Sequence, residues 1–160
     1  HTNGYSLARR VFFEMAGLRH DSLVPDLGVT VGDALLAPHR CYLSVVRPLL
    51  ERGLVKGMAH ITGGGITENL PRVFPEGTAA EIDLRTWSVP PLFRFLQERG
   101  AIARDEMYRA FNMGMGLVVA CDPQNERTVL DLLARAGEAG AVRIGRIVDG
   151  DRTVGYIGAP

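Results

Sequence analysis

From Ser6 to Ala16 the apolar residues Leu7, Val11, Phe12 and Met15 recur at the spacing of one helical face, with Thr2 or Asn3 as N-cap and Gly17 as the left-handed residue that ends the helix. Residues 18 to 29, with Pro25, Gly28 and scattered polar groups, read as a loop. Thr30 and Asp33 then have the spacing of a short capping box and open a brief helix through Leu36 that stops at Pro38. Cys41 to Leu50 fits two patterns: Tyr42, Val45 and Val46 favour a strand, whereas Pro48 suits the first turn of a helix ending at Gly53. Helix is the reading preferred.

Leu54 to Ile61 has the composition of a short buried strand, followed by Gly63-Gly64-Gly65 and a helical segment from Thr67 to Val73. Thr78 to Leu84 predicts another strand. Pro90-Pro91 starts an amphipathic helix, with Leu92, Phe95 and Leu96 on one face, that Gly100 closes, and a further helix covers about Arg104 to Ala110. Gly116 to Cys121 is an apolar strand, and Asp122-Pro123 supplies an N-cap and a first-turn proline. The helix that follows turns Val129, Leu132 and Leu133 to the core and ends near Gly137. Val142 to Val148 and Thr153 to Ile157 flank an Asp149-Gly150-Asp151 turn of hairpin type. The alternation predicts an α/β (α+β) fold, a mixed β-sheet flanked by helices, in one domain spanning 1–160.

Composition narrows the functional classes. The 160 residues are 46% hydrophobic and 22% charged, which suits a globular domain and excludes disorder or a repeat array. Eighteen basic and 18 acidic residues balance to zero net charge, so no overall field draws the chain to nucleic acid or to an anionic membrane. Any bound anion must be held locally. No apolar run approaches the roughly 18 residues of a membrane helix, and Cys41 and Cys121, both in apolar segments, are expected as buried thiols of a reducing, cytoplasmic compartment.

The densest chemistry lies in His60-Ile61-Thr62-Gly63-Gly64-Gly65-Ile66-Thr67-Glu68-Asn69. Three glycines between a strand and a helix let backbone approach a ligand closely and aim several N–H groups at one point, which is chemistry for an anion, most often phosphate. Thr62 and Thr67 add hydroxyl donors, Arg72 lies where it can close over a phosphate, and His60 can donate or carry a proton. The plainer alternative is a flexible turn beside a satisfied core histidine. The run has neither the lysine of a P-loop nor the spacing of a dinucleotide fingerprint, so spacing alone names no ligand. Phe111-Asn112-Met113-Gly114-Met115-Gly116 is a second glycine-rich turn; Asn112, Gly114 and Gly116 suit contact with a ligand or another chain, or a simple turn with two core methionines. His1-Thr2-Asn3-Gly4 is a further anion-contacting candidate whose simplest role is capping. His20 and His39 lack partners at ligand spacing, so no metal site is expected. Glu68 and Asp83 are single carboxylates that fit Mg²⁺ ligation or base catalysis but more often pair structurally. Trp87 is expected to be a packing anchor.

The run His60 to Val73 resembles the signature of phosphoribosylformylglycinamidine cyclo-ligases, also called aminoimidazole ribonucleotide synthetases. The segments His1 to Leu7, Leu35 to Tyr42, Trp87 to Phe93 and Glu106 to Gly116 resemble further motifs of that family, in the family's order, with Met115 standing where a β-branched residue is more usual. The resemblance implies an ATP- and Mg²⁺-dependent ring closure of formylglycinamidine ribonucleotide to aminoimidazole ribonucleotide, in a homodimer of two-domain subunits. There ATP phosphorylates the substrate's amide oxygen and an internal nitrogen closes the imidazole ring. It implies that ATP and Mg²⁺ are bound mainly outside this chain and that the chain is the carboxy-terminal half, inactive without its amino-terminal domain. By position, Gly63, Gly64 and Gly65 would supply backbone donors, with Thr62, His60 (catalytic), Asn69 and Arg72 around them. His1 and Asn3 would lie beside the cleft, and Asn112, Gly114 and Gly116 would line its floor. Two alternatives remain open: a relative making another phosphorylated intermediate, such as selenophosphate synthetase or thiamine-monophosphate kinase, and a non-catalytic anion-binding or dimerisation module of the same fold.

Overall fold

The computed structural model describes residues 3–158. The first helical stretch runs from Tyr5 to Met15 in two parts: α1 (Tyr5–Arg9) continues into a π-helical turn, Arg10–Met15, and its N-cap is Gly4, with no side-chain cap bond, rather than the expected Thr2 or Asn3. The Ala16 amide reaches back to the Val11 carbonyl at 2.8 Å, a wide turn that buries Val11 and Phe12 together, both at 0% exposure. Phe12 stacks on Phe95, with ring centroids 5.1 Å apart.

The expected loop at 18–29 contains a two-residue ladder, β1 (Leu23–Val24) against β2 (Val29–Thr30), which fixes the buried Val24. The capping box is present: the Thr30 hydroxyl accepts from the Asp33 amide at 3.1 Å and starts α2 (Val31–Leu36). The ambiguous segment is helix α3 (Leu43–Glu51). It starts ahead of Pro48, which therefore lies inside it and leaves the Ser44 carbonyl without its helical donor. Ser44 is exposed, so water can serve that carbonyl.

Strand β3 (Gly57–His60) leads to α4 (Gly65–Asn69), which tightens into a 3₁₀ turn, Leu70–Val73. Then come β4 (Thr78–Asp83), α5 (Pro91–Arg99), α6 (Arg104–Ala110) and β5 (Leu117–Ala120). A 3₁₀ turn at Pro123–Asn125 precedes α7 (Glu126–Arg135), and β6 (Gly145–Asp149) and β7 (Val154–Ile157) complete the chain. Asp122 makes no side-chain cap bond, contrary to its expected role.

The mixed α/β class holds, but the strands form three small sheets among the described residues. One pairs β3 with β5, antiparallel, His60 opposite Leu117. The largest is mixed, with β4 at its centre, β6 antiparallel on one side and β7 parallel on the other. The expected β6–β7 hairpin is therefore incorrect. Ala79, Ala80 and Ile82 of β4 are buried at 6%, 3% and 2% exposure, and this strand takes a ladder on each edge. The Asp149-Gly150-Asp151 turn carries the chain over its end, with the Gly150 amide on the Gly77 carbonyl and the Arg152 amide on the Thr78 carbonyl.

Two apolar clusters result. One gathers Phe12, Val31, Leu96, Met107 and Phe111 between the first helix, α5 and α6; the other gathers Ile61, Ile66, Leu70 and Ile82 between β3, α4 and β4. Trp87 packs against both and donates its indole N–H to the Met113 carbonyl at 3.0 Å, the packing anchor expected of it. The cysteine expectation needs correction: Cys41 is exposed and Cys121 half-buried, because the apolar residues around Cys41 belong to a helix whose buried face starts at Val45. No helix of the described residues is long and apolar enough to cross a membrane.

Candidate functional site at the triple-glycine loop

Strand β3 ends on a bond from the Ile61 amide to the Gly116 carbonyl, 2.9 Å, and Ile61 itself is fully buried. Beyond this anchor the chain turns through Thr62, Gly63 and Gly64. The turn closes twice: the Gly65 amide donates to the Thr62 carbonyl at 3.0 Å and the Gly64 amide to the Arg109 carbonyl, near the end of α6, at 2.9 Å. Gly64 and Gly65 sit at φ 98° and 59°, the left-handed region that favours glycine. A Cβ on Gly65 would stand 1.8 Å from the Tyr108 carbonyl oxygen, and one on Gly64 would stand 2.6 Å from a Glu68 carboxylate oxygen. These glycines let α4 and α6 approach backbone to backbone.

Asn69, 5% exposed, holds the turn from inside. Its Nδ2 donates to the carbonyls of Gly65 (2.8 Å), Gly63 (3.1 Å) and Thr62 (3.3 Å), while its Oδ1 accepts from the Thr62 hydroxyl at 3.0 Å. Two N–H groups are thus shared among three carbonyls of the turn, of which that of Thr62 also accepts from the Gly65 amide. Thr67 Oγ1 and the Tyr156 hydroxyl, 2.8 Å apart, tie α4 to β7.

This arrangement corrects the expected donor roles. The amides of Gly64 and Gly65 serve internal carbonyls, so the outward donor of the triplet is Gly63, which is exposed and makes no amide hydrogen bond among the described residues. Asn69 and the Thr62 hydroxyl likewise act within the loop. Glu68 lies against Gly64 with no ion-pair partner among the described residues. Its charge disfavours a bare anion on that side, leaving the Gly63 side as the approach. On that side the Asn3 Nδ2 lies 3.4 Å from where a Gly63 Cβ would be. Asn3, Ile61, Thr62, Phe93, Phe111 and Asn112 line a niche of about 10 Å³, the room of a single water.

The other candidates separate. Asn112 reaches the niche and accepts the Gly114 amide on its Oδ1 at 2.9 Å. Gly114, at φ 97°, is needed because a Cβ would meet Pro90 at 2.7 Å, and the buried Gly116 serves the β3 ladder through its carbonyl, so both glycines shape the turn. Arg72 is exposed on the 3₁₀ turn and makes no hydrogen bond or ion pair among the described residues; nothing folds it over the loop. His1 lies outside the described residues. Asp83 is held by Arg85 through two side-chain bonds of 2.8 and 2.7 Å, which lower its carboxyl to about 2 and make it a structural group.

His60 is exposed at the end of β3, which removes the core-histidine reading. Its ring meets His39 edge-on, centroids 5.2 Å apart, with Tyr42 at 6.3 Å. Partial desolvation, then the charge of His39, lower its pKa below that of a free imidazole. The ring is therefore neutral at physiological pH. Sequence reasoning did not find the contributions of Tyr108 and Arg109, because they act through backbone carbonyls distant in sequence and carry no side-chain signature.

A model of the family described as AIR synthase related protein, C-terminal domain, matches residues 1–158. The chain belongs to this family. It is 43% identical over 154 residues to the phosphoribosylformylglycinamidine cyclo-ligase of Alkaliphilus metalliredigens, a match covering 96% of this chain and 44% of that protein. The enzyme of the same name from Geobacillus kaustophilus is 45% identical over 150 residues, covering 94% and 43%. That from Geobacter sulfurreducens is 52% identical over 126 residues, covering 79% and 36%. The chain spans less than half the length of these curated relatives.

Two outcomes are expected at this site. Asn69→Ala strips the loop carbonyls of their donor and should lower unfolding free energy by about 3 kcal/mol, read by urea denaturation; a loss within measurement error would contradict the assigned role. In an NMR titration, the His60 ring should release its proton at lower pH than a free imidazole, and His39→Gln should raise that midpoint. Because the folded pKa is the lower one, His60 makes the folded state less stable as pH falls into the window below the free-imidazole value, and contributes no such loss above it.

Proposed function

We propose that this chain is the substrate- and phosphate-binding domain of an ATP-dependent cyclo-ligase that converts formylglycinamidine ribonucleotide to aminoimidazole ribonucleotide in purine biosynthesis. The observation that carries this reading is the internally held glycine loop, which leaves Gly63 exposed next to Asn3, itself in one niche with Asn112, in a chain whose relatives bear the cyclo-ligase name. A phosphorylated group approaching from the Gly63 side meets neutral donors in a fixed geometry. That matches a protein with no net charge to attract it.

The relatives' name describes a phosphoribosyl amidine that is closed into a ring, and ATP with Mg²⁺ would supply the phosphoryl group that makes the amide oxygen a leaving group. Among the described residues no three His, Cys, Asp or Glu side chains gather as a metal site, and Glu68 opposes a bare polyphosphate on its side of the loop. The nucleotide and its metal are proposed to bind mainly in parts of the enzyme beyond this chain. Here the residues bind and orient: Asn3, Gly63 and Asn112 hold the ribonucleotide, and Thr62 with Asn69 keep the loop in place. His60, its pKa below that of a free imidazole, moves a proton during ring closure. The enzyme is proposed to be a cytoplasmic homodimer completed by an amino-terminal domain.

A second reading, a non-catalytic anion-binding module, is favoured by one observation: Gly64 and Gly65 keep their amides for internal bonds. Joining the chain to the amino-terminal part of a relative and assaying ATP-dependent product formation separates the two readings, since only the enzyme turns over. For the site itself, inorganic phosphate added to the chain should shift the Gly63 and Asn3 amide resonances more than those of Gly64 and Gly65. Shifts confined to a distant patch would refute the site.

A further inference from the structure

Glu68, in the first turn of α4, folds back over the triple-glycine turn instead of extending into solvent. Its Oε2 lies 2.6 Å, and its Cβ 2.7 Å, from where a Gly64 Cβ would stand, so a glycine at 64 is what lets the carboxylate lie there. No donor among the described residues, backbone or side chain, meets its oxygens. Arg72 lies four residues on, the helical spacing at which opposite charges pair, but the chain tightens between them into the 3₁₀ turn Leu70–Val73, and Arg72 stays exposed without an ion pair among the described residues. The helix dipole accounts for little of this placement, since α4 has only five residues to align. A carboxylate held against glycine backbone with no donor of its own is placed for a donor that arrives with a ligand.

The two sides of the turn are opposite in character. Gly63, exposed and with Asn3 beside it, offers neutral N–H donors that suit a phosphate; Glu68, lying against Gly64, offers acceptors and a negative charge. A ligand that fits both has a phosphate at one end and, further along, a cationic group with N–H donors. A phosphoribosyl amidine, the kind of compound in the relatives' name, has both. An amidine is protonated at neutral pH, is planar, and presents two N–H bonds side by side, the pattern that a carboxylate accepts on its two oxygens.

We propose that Glu68 is a specificity-determining residue that reads the amidine of the substrate, accepting its two N–H bonds while the phosphate lies on the Gly63 side. This rests on the substrate reading given above and gives a role to a carboxylate that would otherwise only repel a phosphorylated ligand. A phosphate ester with a neutral group in the amidine's place gains nothing from Glu68 and still meets its repulsion. The site thereby separates the amidine from the corresponding amide, which has the same shape and differs by one oxygen in place of one N–H group.

The test compares formylglycinamidine ribonucleotide with its oxo analogue, in which a neutral amide replaces the amidine, each titrated into the chain while the Gly63 amide resonance is followed. The unaltered chain should bind the amidine about tenfold more tightly than the amide, and Glu68→Gln, nearly the same shape without the charge, should bring that ratio to about one. The change should come from opposite shifts: the amidine binds more weakly to Glu68→Gln, while the amide and ribose 5-phosphate, relieved of the repulsion, bind as tightly or more tightly. A merely structural Glu68 would weaken all three together, and that result would overturn the proposal. Equal affinities for amidine and amide in the unaltered chain, or a preference that survives in Glu68→Gln, would overturn it too while leaving the substrate reading intact. If neither ribonucleotide moves Gly63, the substrate reading itself fails, and this proposal with it.

Discussion

The carboxamide of Asn69 joins three carbonyls and one hydroxyl from the turn between β3 and α4. That turn has no room for an alternative. Tyr108 and Arg109 press their carbonyls against Gly65 and Gly64, so the backbone must pass through positive φ, and such a turn leaves its own carbonyls facing inward. A buried amide with two donors and an acceptor satisfies them at once, where water would find no space. What the loop shows to solvent, the Gly63 amide beside Asn3, follows from what it hides.

That constraint separates residues that hold the site from residues that meet a ligand. A glycine triplet ahead of a helix suggests a cradle of three amides. The Arg109 carbonyl of α6 takes one of them and the loop's own Thr62 carbonyl another, while the Glu68 carboxylate, without an ion-pair partner among the described residues, closes one direction of approach. In the proposed role, a phosphorylated molecule would meet few neutral donors in a fixed position, in keeping with a chain of zero net charge. His60 lies outside the loop's own hydrogen-bonded core, exposed and with its ring edge-on to His39, and partial desolvation lowers its pKa.

Local chemistry made much of the fold legible. The Thr30–Asp33 box, the proline that opens α5 and the apolar spacing of α7 each act within a few residues, and each element appears where its residues place it. Relations across the chain were not legible. Nothing in Asp149-Gly150-Asp151 says that β4 will lie between β6 and β7, because this depends on how deeply Ala79, Ala80 and Ile82 are buried. The π-helical turn at Arg10–Met15 reflects the need to bury Val11 and Phe12 side by side, and the exposed Cys41 reflects which face of α3 meets the core. At the site, residue types identified the loop and its family, but backbone contacts from α6 decided which amides remain free.

Amide exchange of the ligand-free chain tests this division most directly. If the loop is held from within, the Gly64 and Gly65 amides exchange as slowly as those of central strand β4, while Gly63 exchanges freely. Equally fast exchange at all three glycines would show an open cradle and contradict the account.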